Sequence, residues 1–302
     1  MHYDVIVIGG GPAGYTAALY CARAGFSVAV MEKLYAGGQI NETAWVDNYP
    51  GYPEGIDGVS LGQKFQAAAE RFGAKTIYTE VIGVHLLEAE KQVQTLEGTY
   101  TAAAVVIATG AGHKHLGLSD EESLVGRGVA YCAACDGNFY RGKTVAVVGG
   151  GNSAAADALL LSRIAKKVIL IHRRDSLRAT KIYHEPLMKA ENVEIRWNRE
   201  VMQLLSEEKL TGVKIRNVNS GAVEEISLDG LFVSIGRQPA TELFRDQLPL
   251  DDGGYIVADE TTQTPVPGVY AVGDVRTKAL RQVVTAEADG AAAANQIEIY
   301  LA

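Results

Sequence analysis

An α/β fold of two Rossmann-like domains, the second inserted in the first, is predicted by three features of this 302-residue sequence. One pattern, a strand-like run, a glycine-rich turn and a helical stretch, occurs twice. Strand-like and helical stretches alternate along the chain, which predicts parallel sheets with helices on both faces. A further strand-like segment falls late, and the roughly 60 residues after Gly236 are too few for a domain of their own. That tail is expected to complete the first domain, giving boundaries of 1–113, 114–241 and 242–302.

The first copy begins with the run Tyr3 to Ile8, which ends at Gly9-Gly10-Gly11-Pro12-Ala13-Gly14. A helical stretch from Tyr15 to Ala24 stops at Gly25, and the apolar run Ser27 to Met31 ends in Glu32. Each part has a mechanical task in holding a dinucleotide. Gly9 permits the tight turn, Gly11 lets backbone amides approach a pyrophosphate, and Gly14 lets the helix pack closely on the strand. The helix N-terminus then faces the phosphates, and the Glu32 carboxylate can accept both hydroxyls of a ribose.

The second copy runs from Thr144 to Val148, then Gly149-Gly150-Gly151-Asn152-Ser153-Ala154, a helix to about Ala165 and a strand from Val168 to Ile171. Ala154 in the third glycine position suits the same loop. In the register of Glu32 this copy has His172, followed by Arg173 and Arg174. A carboxylate there would repel a 2′-phosphate, whereas guanidinium groups bind one bidentately, so this site is expected to prefer NADP over NAD. Arg178 is a further expected clamp. Val105 to Gly110 and Leu231 to Gly236 each place a strand ending in glycine after their own fingerprint, extending the repeat. Val269 to Val272, ending in Gly273-Asp274, is the late strand, and a helix follows from about Thr285.

Between the copies lies Cys132-Ala133-Ala134-Cys135-Asp136-Gly137. A zinc site would need two more ligands at matching spacing, which Cys21 and the six histidines do not supply. Two unpaired buried cysteines are a second reading. A redox pair is favoured by the small intervening residues and by an ionisable neighbour that can carry the proton of thiolate exchange. Asp136 is either that proton carrier or a turn residue before Gly137. Cys21, in an apolar helical stretch, reads as a small buried hydrophobe. Nicotinamide delivers a hydride and does not usefully reduce a disulfide by direct attack. A flavin mediates between the two, so the acid-bearing site is expected to take FAD and the arginine-bearing site NADPH.

The formal net charge of −8 and the lack of a basic run argue against nucleic acid or an anionic membrane as partner. No apolar stretch approaches a membrane span, and no leader precedes the first strand, so a cytoplasmic protein is expected. No metal is expected.

With both fingerprints, Cys-Ala-Ala-Cys-Asp, His-Arg-Arg and the Gly-Asp segment in order, the whole chain resembles the low-molecular-weight thioredoxin reductases. The resemblance implies a homodimer that reduces thioredoxin, with Cys135 nearer the flavin, Cys132 attacking the partner and Asp136 as acid-base group. It carries FAD contacts onto Gly9, Gly11, Pro12, Ala13, Gly14, Glu32, Lys33, Gly38, Gln39, Asn48, Val81, Ala108, Thr109 and Gly110. The same set includes Gly273, Asp274, Arg281, Gln282, Val283 and Ala286. NADP contacts fall on Gly149, Gly151, Asn152, Ser153, Ala154, His172, Arg173, Arg174, Arg178, Ile235 and Gly236. It also implies that the two chain crossings act as hinges. Ala134, Ala156 and Gly236-Arg237-Gln238-Pro239 depart from the commoner family pattern. Alternatives are a relative serving another thioredoxin-fold partner, one reduced by ferredoxin, a dithiol oxidase, or a non-catalytic redox sensor.

Overall fold

In the computed structural model, which describes residues 1–43 and 45–302, the chain divides into two units, Met1–Gly112 with Gln238–Ala302, and His113–Arg237. The first part of unit 1 contains β1 (His2–Ile8), α1 (Pro12–Arg23), β2 (Val28–Glu32), α2 (Gly58–Glu70) and β3 (Lys75–Tyr78). It continues with β4 (Val81–His85), β5 (Lys91–Thr95), β6 (Gly98–Ile107) and the short β7 (Ala111–His113) at the crossing. Unit 2 holds β8 (Val129–Ala130), α3 (Ala133–Asp136), β9 (Thr144–Val148), α4 (Asn152–Ser162), β10 (Lys167–His172) and α5 (His184–Lys189). Its later strands are β11 (Val193–Trp197), β12 (Arg199–Ser206), β13 (Leu210–Asn217), β14 (Val223–Ser227) and β15 (Gly230–Val233). After β16 (Arg237–Pro239) the chain returns to unit 1 for β17 (Val269–Ala271) and α6 (Val283–Leu301).

The two parallel sheets share one plan. Unit 1 orders its parallel strands β3-β2-β1-β6, with β17 on the far side of β6. Unit 2 orders them β11-β10-β9-β15-β8. β6 is long enough to serve two partners on one edge, β5 along Gly98–Ala102 and β17 along Val105–Ile107. These strands read as continuous Val/Ile/Ala runs because both sheet faces are covered.

What covers them differs from the expectation of helices on both faces. In unit 1, Val5, Val7, Val30 and Val106 pack with the small residues of α1 and α6. On the opposite face Ile6, Ile8, Met31 and Ile107 pack with Val84, Val93, Phe244, Leu248 and Ile256, from antiparallel strands and irregular chain. Unit 2 repeats this, with α4 and α5 on one face and β12–β13 on the other. The antiparallel runs are β4-β5-β6 and β12-β13-β14.

In this division the crossings fall at 112/113 and 237/238. His113 stacks on Tyr131 of unit 2, with ring centroids 4.8 Å apart. Residues 240–241 belong to unit 1: Ala240 N donates to Gly110 O (3.0 Å), the Thr109 hydroxyl to Ala240 O (2.7 Å) and the Thr241 hydroxyl to Gly254 O (2.8 Å).

α1 is held against α6 at van der Waals limits. A Cβ added at Gly290 would lie 2.4 Å from Ala13 O and 2.8 Å from Ala17 N. Gly290→Ala therefore must push α6 off α1. We expect a loss of about 1–3 kcal/mol, read as a lower melting temperature by circular dichroism; an unchanged midpoint would refute the close-packing argument.

Candidate functional site

In unit 1 the sequence-predicted residues gather where the C-terminal ends of β1, β6 and β17 meet the N-termini of α1 and α6. Gly9 has φ +106°, and a Cβ there would sit 2.5 Å from Ala108 O; one on Gly14 would sit 2.0 Å from Gly9 O. Beside Gly11 a Cβ would find nothing nearer than Gly37 O at 3.9 Å, so this side of the loop is open. Gly11 caps α1 without a side-chain bond, and Pro12 supplies the first helical position. The first-turn amides, which have no intrahelical acceptors, are thereby left for an anion. Glu32 ends β2 and accepts from Gly10 N (2.8 Å) and Leu34 N (3.0 Å). Its second lone pairs remain for hydroxyls. These features fit a dinucleotide.

Around this loop lie the later segments. Gly37 N donates to Gly10 O (2.7 Å), bringing Gly38 against Gly11. The Gln39 amide donates to Ala111 O. Asn48 donates to Gln282 Oε1 (2.9 Å), and Gln282 also caps α6 reciprocally with Thr285. Val283 starts α6 against the buried cluster of Ile40, Val46, Ile56 and Leu61. Arg281 lies over the Tyr255 ring at 4.1 Å. Ala108 N donates to Ile8 O (2.8 Å), which sets Thr109 and Gly110 at the end of β6. Val81 is half-buried at the start of β4, directly after the Thr79 N bond to Glu32 O (2.9 Å). Lys33 is drawn instead to Glu80 (2.7 Å) in an exposed pair.

Sequence reasoning missed the anchor of this site. Asp289 on α6 accepts from Gly273 N (2.8 Å), Arg276 (2.8 and 2.9 Å) and Lys278 (2.8 Å). Arg276 is 1% exposed. Burial works to raise the Asp289 carboxyl, but the bonds from Arg276 and Lys278 outweigh it and hold it below its usual range. Gly273 (φ +73°) is pinned on Ala13, where a Cβ would fall 2.9 Å from the Ala13 Cβ. Asp274 is thus set beside the start of α1, with Ala286 packed nearby.

Unit 2 builds the equivalent loop. Gly149 has φ +150° and would place a Cβ 2.3 Å from Ser234 O and 2.6 Å from the Ala154 Cβ. Gly151 caps α4 in open space, Asn152 accepts from Thr180 N (2.7 Å), and Ser153 is exposed in the first turn. Ile235 and Gly236 are exposed just past β15. Arg173, Arg174 and Arg178 are exposed and have no bonded side-chain partner among the described residues. Arg178 N and Ala179 N both donate to Gly150 O (2.7 and 3.0 Å), tying that segment to the loop.

His172 does not join the arginines. Its ring covers Gly150, where a Cβ would fall 2.1 Å away, and its Nε2 bonds Ser176 O at 3.0 Å. Burial, aided by Arg174, Arg178 and Arg173, holds its pKa below the usual value. The ring thus packs as a prop of the loop. The alternation of strand side chains turns this one inward. Also unforeseen, Asp157 on α4 accepts from the Ser234 hydroxyl at 2.5 Å, and burial pushes its pKa up.

Cys132 and Cys135 are disulfide-bonded, and Cys132 Sγ accepts from Cys135 N at 3.2 Å. Cys21 is a buried free thiol whose pKa burial pushes up to about 12. Asp136 N donates to Cys132 O (3.0 Å), and burial pushes the Asp136 carboxyl up to about 6. Such a group exchanges a proton readily near neutrality. Among the described residues no cluster of His, Cys, Asp and Glu is placed to hold a metal, and no helix is long and apolar enough to cross a membrane.

A raised Asp136 pKa makes folding pH-dependent. The folded state holds this proton more tightly than the unfolded, so the contribution is complete below pH 3.8 and is lost as pH rises through about 6. Asp136→Asn should remove that dependence and be more stable than wild type at pH 7.5, by about 1–3 kcal/mol. Urea unfolding at pH 4 and 7.5 measures it; an equal difference at both values would contradict the assignment.

Residues 3–290 match the family described as pyridine nucleotide-disulphide oxidoreductase. The chain is 46% identical to a thioredoxin reductase of Streptomyces clavuligerus, over 99% of its own length and 94% of the relative's. It is 44% identical to one of Listeria monocytogenes, with the same coverage of both chains. A crystal structure of thioredoxin reductase from Streptococcus pyogenes superposes with a TM-score of 0.89 at 42% identity, covering 99% of this chain and 98% of that one. That family uses a flavin and a nicotinamide nucleotide, which the two glycine loops fit. A redox disulfide that lies in the sequence between two such loops, with these relatives along the chain's full length, places the chain in the thioredoxin reductase family of pyridine nucleotide-disulphide oxidoreductases.

Proposed function

We propose that this chain is an NADPH-dependent FAD enzyme that reduces the disulfide of thioredoxin through Cys132 and Cys135. The observation that carries the reading is the contrast between two like folds. At the end of β2 unit 1 presents the carboxylate of Glu32, and just past the end of β10 unit 2 presents Arg173 and Arg174. A ribose diol suits the first, and a 2′-phosphate the second. Unit 1 is then the FAD domain and unit 2 the NADPH domain. The family resemblance adds a homodimer, and a cytoplasmic location belongs to the same proposal.

FAD, when bound, supplies a two-electron carrier between nicotinamide and disulfide. The protein's own residues do the rest. The Cys132–Cys135 bond takes up two electrons and two protons and opens to a dithiol. Cys132, as thiolate, attacks one sulfur of the partner disulfide and expels the other as a thiolate, leaving a mixed disulfide. Cys135 then attacks Cys132 Sγ, releasing the partner's second thiolate and restoring the bond. Asp136, with its carboxyl near 6, takes the thiol proton and returns one to the leaving sulfur. Arg173, Arg174 and Arg178 bind and orient the nucleotide.

The test is anaerobic titration of the flavoprotein with NADPH, followed by turnover with thioredoxin. Flavin bleaching and thioredoxin reduction are expected; failure of either rejects the reading. Cys135→Ser should keep bleaching and abolish turnover, and persistent turnover would reject the dithiol assignment. Arg173→Ala with Arg174→Ala should raise the KM for NADPH about 10–100-fold with NADH little affected. An equal rise for both nucleotides would refute 2′-phosphate recognition.

A further inference from the structure

Four side chains near the dithiol have no part in the scheme above. Glu121 is 2% exposed, yet its carboxylate is fully engaged. Oε2 accepts from Gly117 N (2.9 Å) and Leu118 N (3.4 Å), and Oε1 accepts from Leu116 N (2.9 Å) and the Tyr131 hydroxyl (2.6 Å). A carboxylate only accepts, so Tyr131 spends its one proton on Glu121. His115 Nδ1, 2.8 Å from the same hydroxyl, must then be the donor, and this fixes its tautomer. The result is a directed chain from His115 through Tyr131 to Glu121. The Tyr131 ring is also held on two sides. His113 stacks on it at 4.8 Å and His115 meets it edge-on at 5.3 Å. Burial, then Arg237 and His115, pushes His113 down to about 4, so the stacked ring is neutral.

Tyr131 immediately precedes Cys132. Past the dithiol the turn is seated by Gly137, where a Cβ would lie 3.2 Å from a Leu161 methyl in α4. Ahead of it, β8 is two residues long and pairs Ala130 with Phe232. The grip on Tyr131 extends that short anchor by one residue, up to the first cysteine.

We propose that Tyr131, gripped by Glu121, His115 and His113, is a positioning residue that orients Cys132 toward Cys135 and so sets the effective concentration of the two thiols for each other. The inference deepens the proposed function and rests on that reading for its purpose. A well-held pair closes readily, and ring closure is the step that releases the reduced partner. Stronger closure also makes the disulfide harder to reduce, so this grip sets the driving force on both sides of the dithiol.

The test equilibrates the holoenzyme with graded mixtures of reduced and oxidised dithiothreitol. Protein dithiol and oxidised dithiothreitol give protein disulfide and reduced dithiothreitol, with two electrons and two protons moving across. Alkylation and mass spectrometry of the Cys132–Cys135 peptide read the ratio. Tyr131→Phe removes the hydroxyl and keeps the ring. It should lower the closure constant about tenfold, which is an upward shift of roughly 30 mV in potential. His115→Ala, at an exposed position, should shift it less and in the same direction. An unchanged closure constant in both variants overturns the proposal, and so does a lowered melting temperature with an unchanged constant, which would make Tyr131 structural only. This readout needs neither NADPH nor thioredoxin. A wild-type protein that leaves thioredoxin oxidised would sink the proposed function and leave the positioning test standing.

Discussion

Unit 1 depends on one buried carboxylate. Asp289 faces two cations and a backbone amide, and a lone charge at that depth would be prohibitive. Because Arg276 and Lys278 both donate to Asp289, the network joins α6 to the chain that follows β17. Gly290, the next residue, is where α6 touches α1. One turn of helix therefore fixes three things together: the approach of α1, the Gly273-Asp274 corner and the start of the 281–283 segment. The fingerprint at the N-terminus is shaped by residues near the opposite end of the chain.

Unit 2 reaches the same loop geometry without that network. Its fourth and fifth strands, β15 and β8, extend the sheet from β9 outward so that it is complete in itself, and the His172 ring fills the space over Gly150. The charge difference between the units sits at the loop edge and leaves the strands alone. A single architecture can then hold chemically different nucleotides by exchanging residues just past one strand, which is the sense in which sites are grafted onto folds.

Much of this was legible in the sequence because glycine positions and strand-end charges carry their own mechanics. Gly9, Gly14 and Gly149 are required by contacts under 2.6 Å, and no other residue type satisfies them. The antiparallel runs were less legible. Lys91–Thr95 holds a single apolar residue, Val93, and the two-residue turn that joins it to β6, Leu96-Glu97, has no Asn-Gly or Asp-Gly signature, so its pairing is set by tertiary packing. The inward turn of His172 was hidden because a residue ending a strand has no following alternation to mark its face. Asp289, Asp157 and Glu121 were invisible for a shared reason. Each is an acid in an ordinary polar position, and its importance comes from partners far away in sequence or from backbone amides. Register and spacing report local mechanics, whereas a buried carboxylate reports a three-dimensional meeting.

The differing origin of the last strand in each sheet bears on how the chain is made. In unit 2 the position beside β15 is taken by β8, which comes before the glycine loop in the chain, so every strand exists once residue 233 has been added. In unit 1 the corresponding place belongs to β17, and its helical cover is α6, both of which come after the inserted unit in the chain. During synthesis the inserted unit can close while the host sheet still has an open flank along Val105–Ile107. The host must hold an apolar edge exposed until β17 and α6 emerge, since domains fold as units and long-range pairing comes late. The interval between those two closures is when this chain is most open to wrong partners.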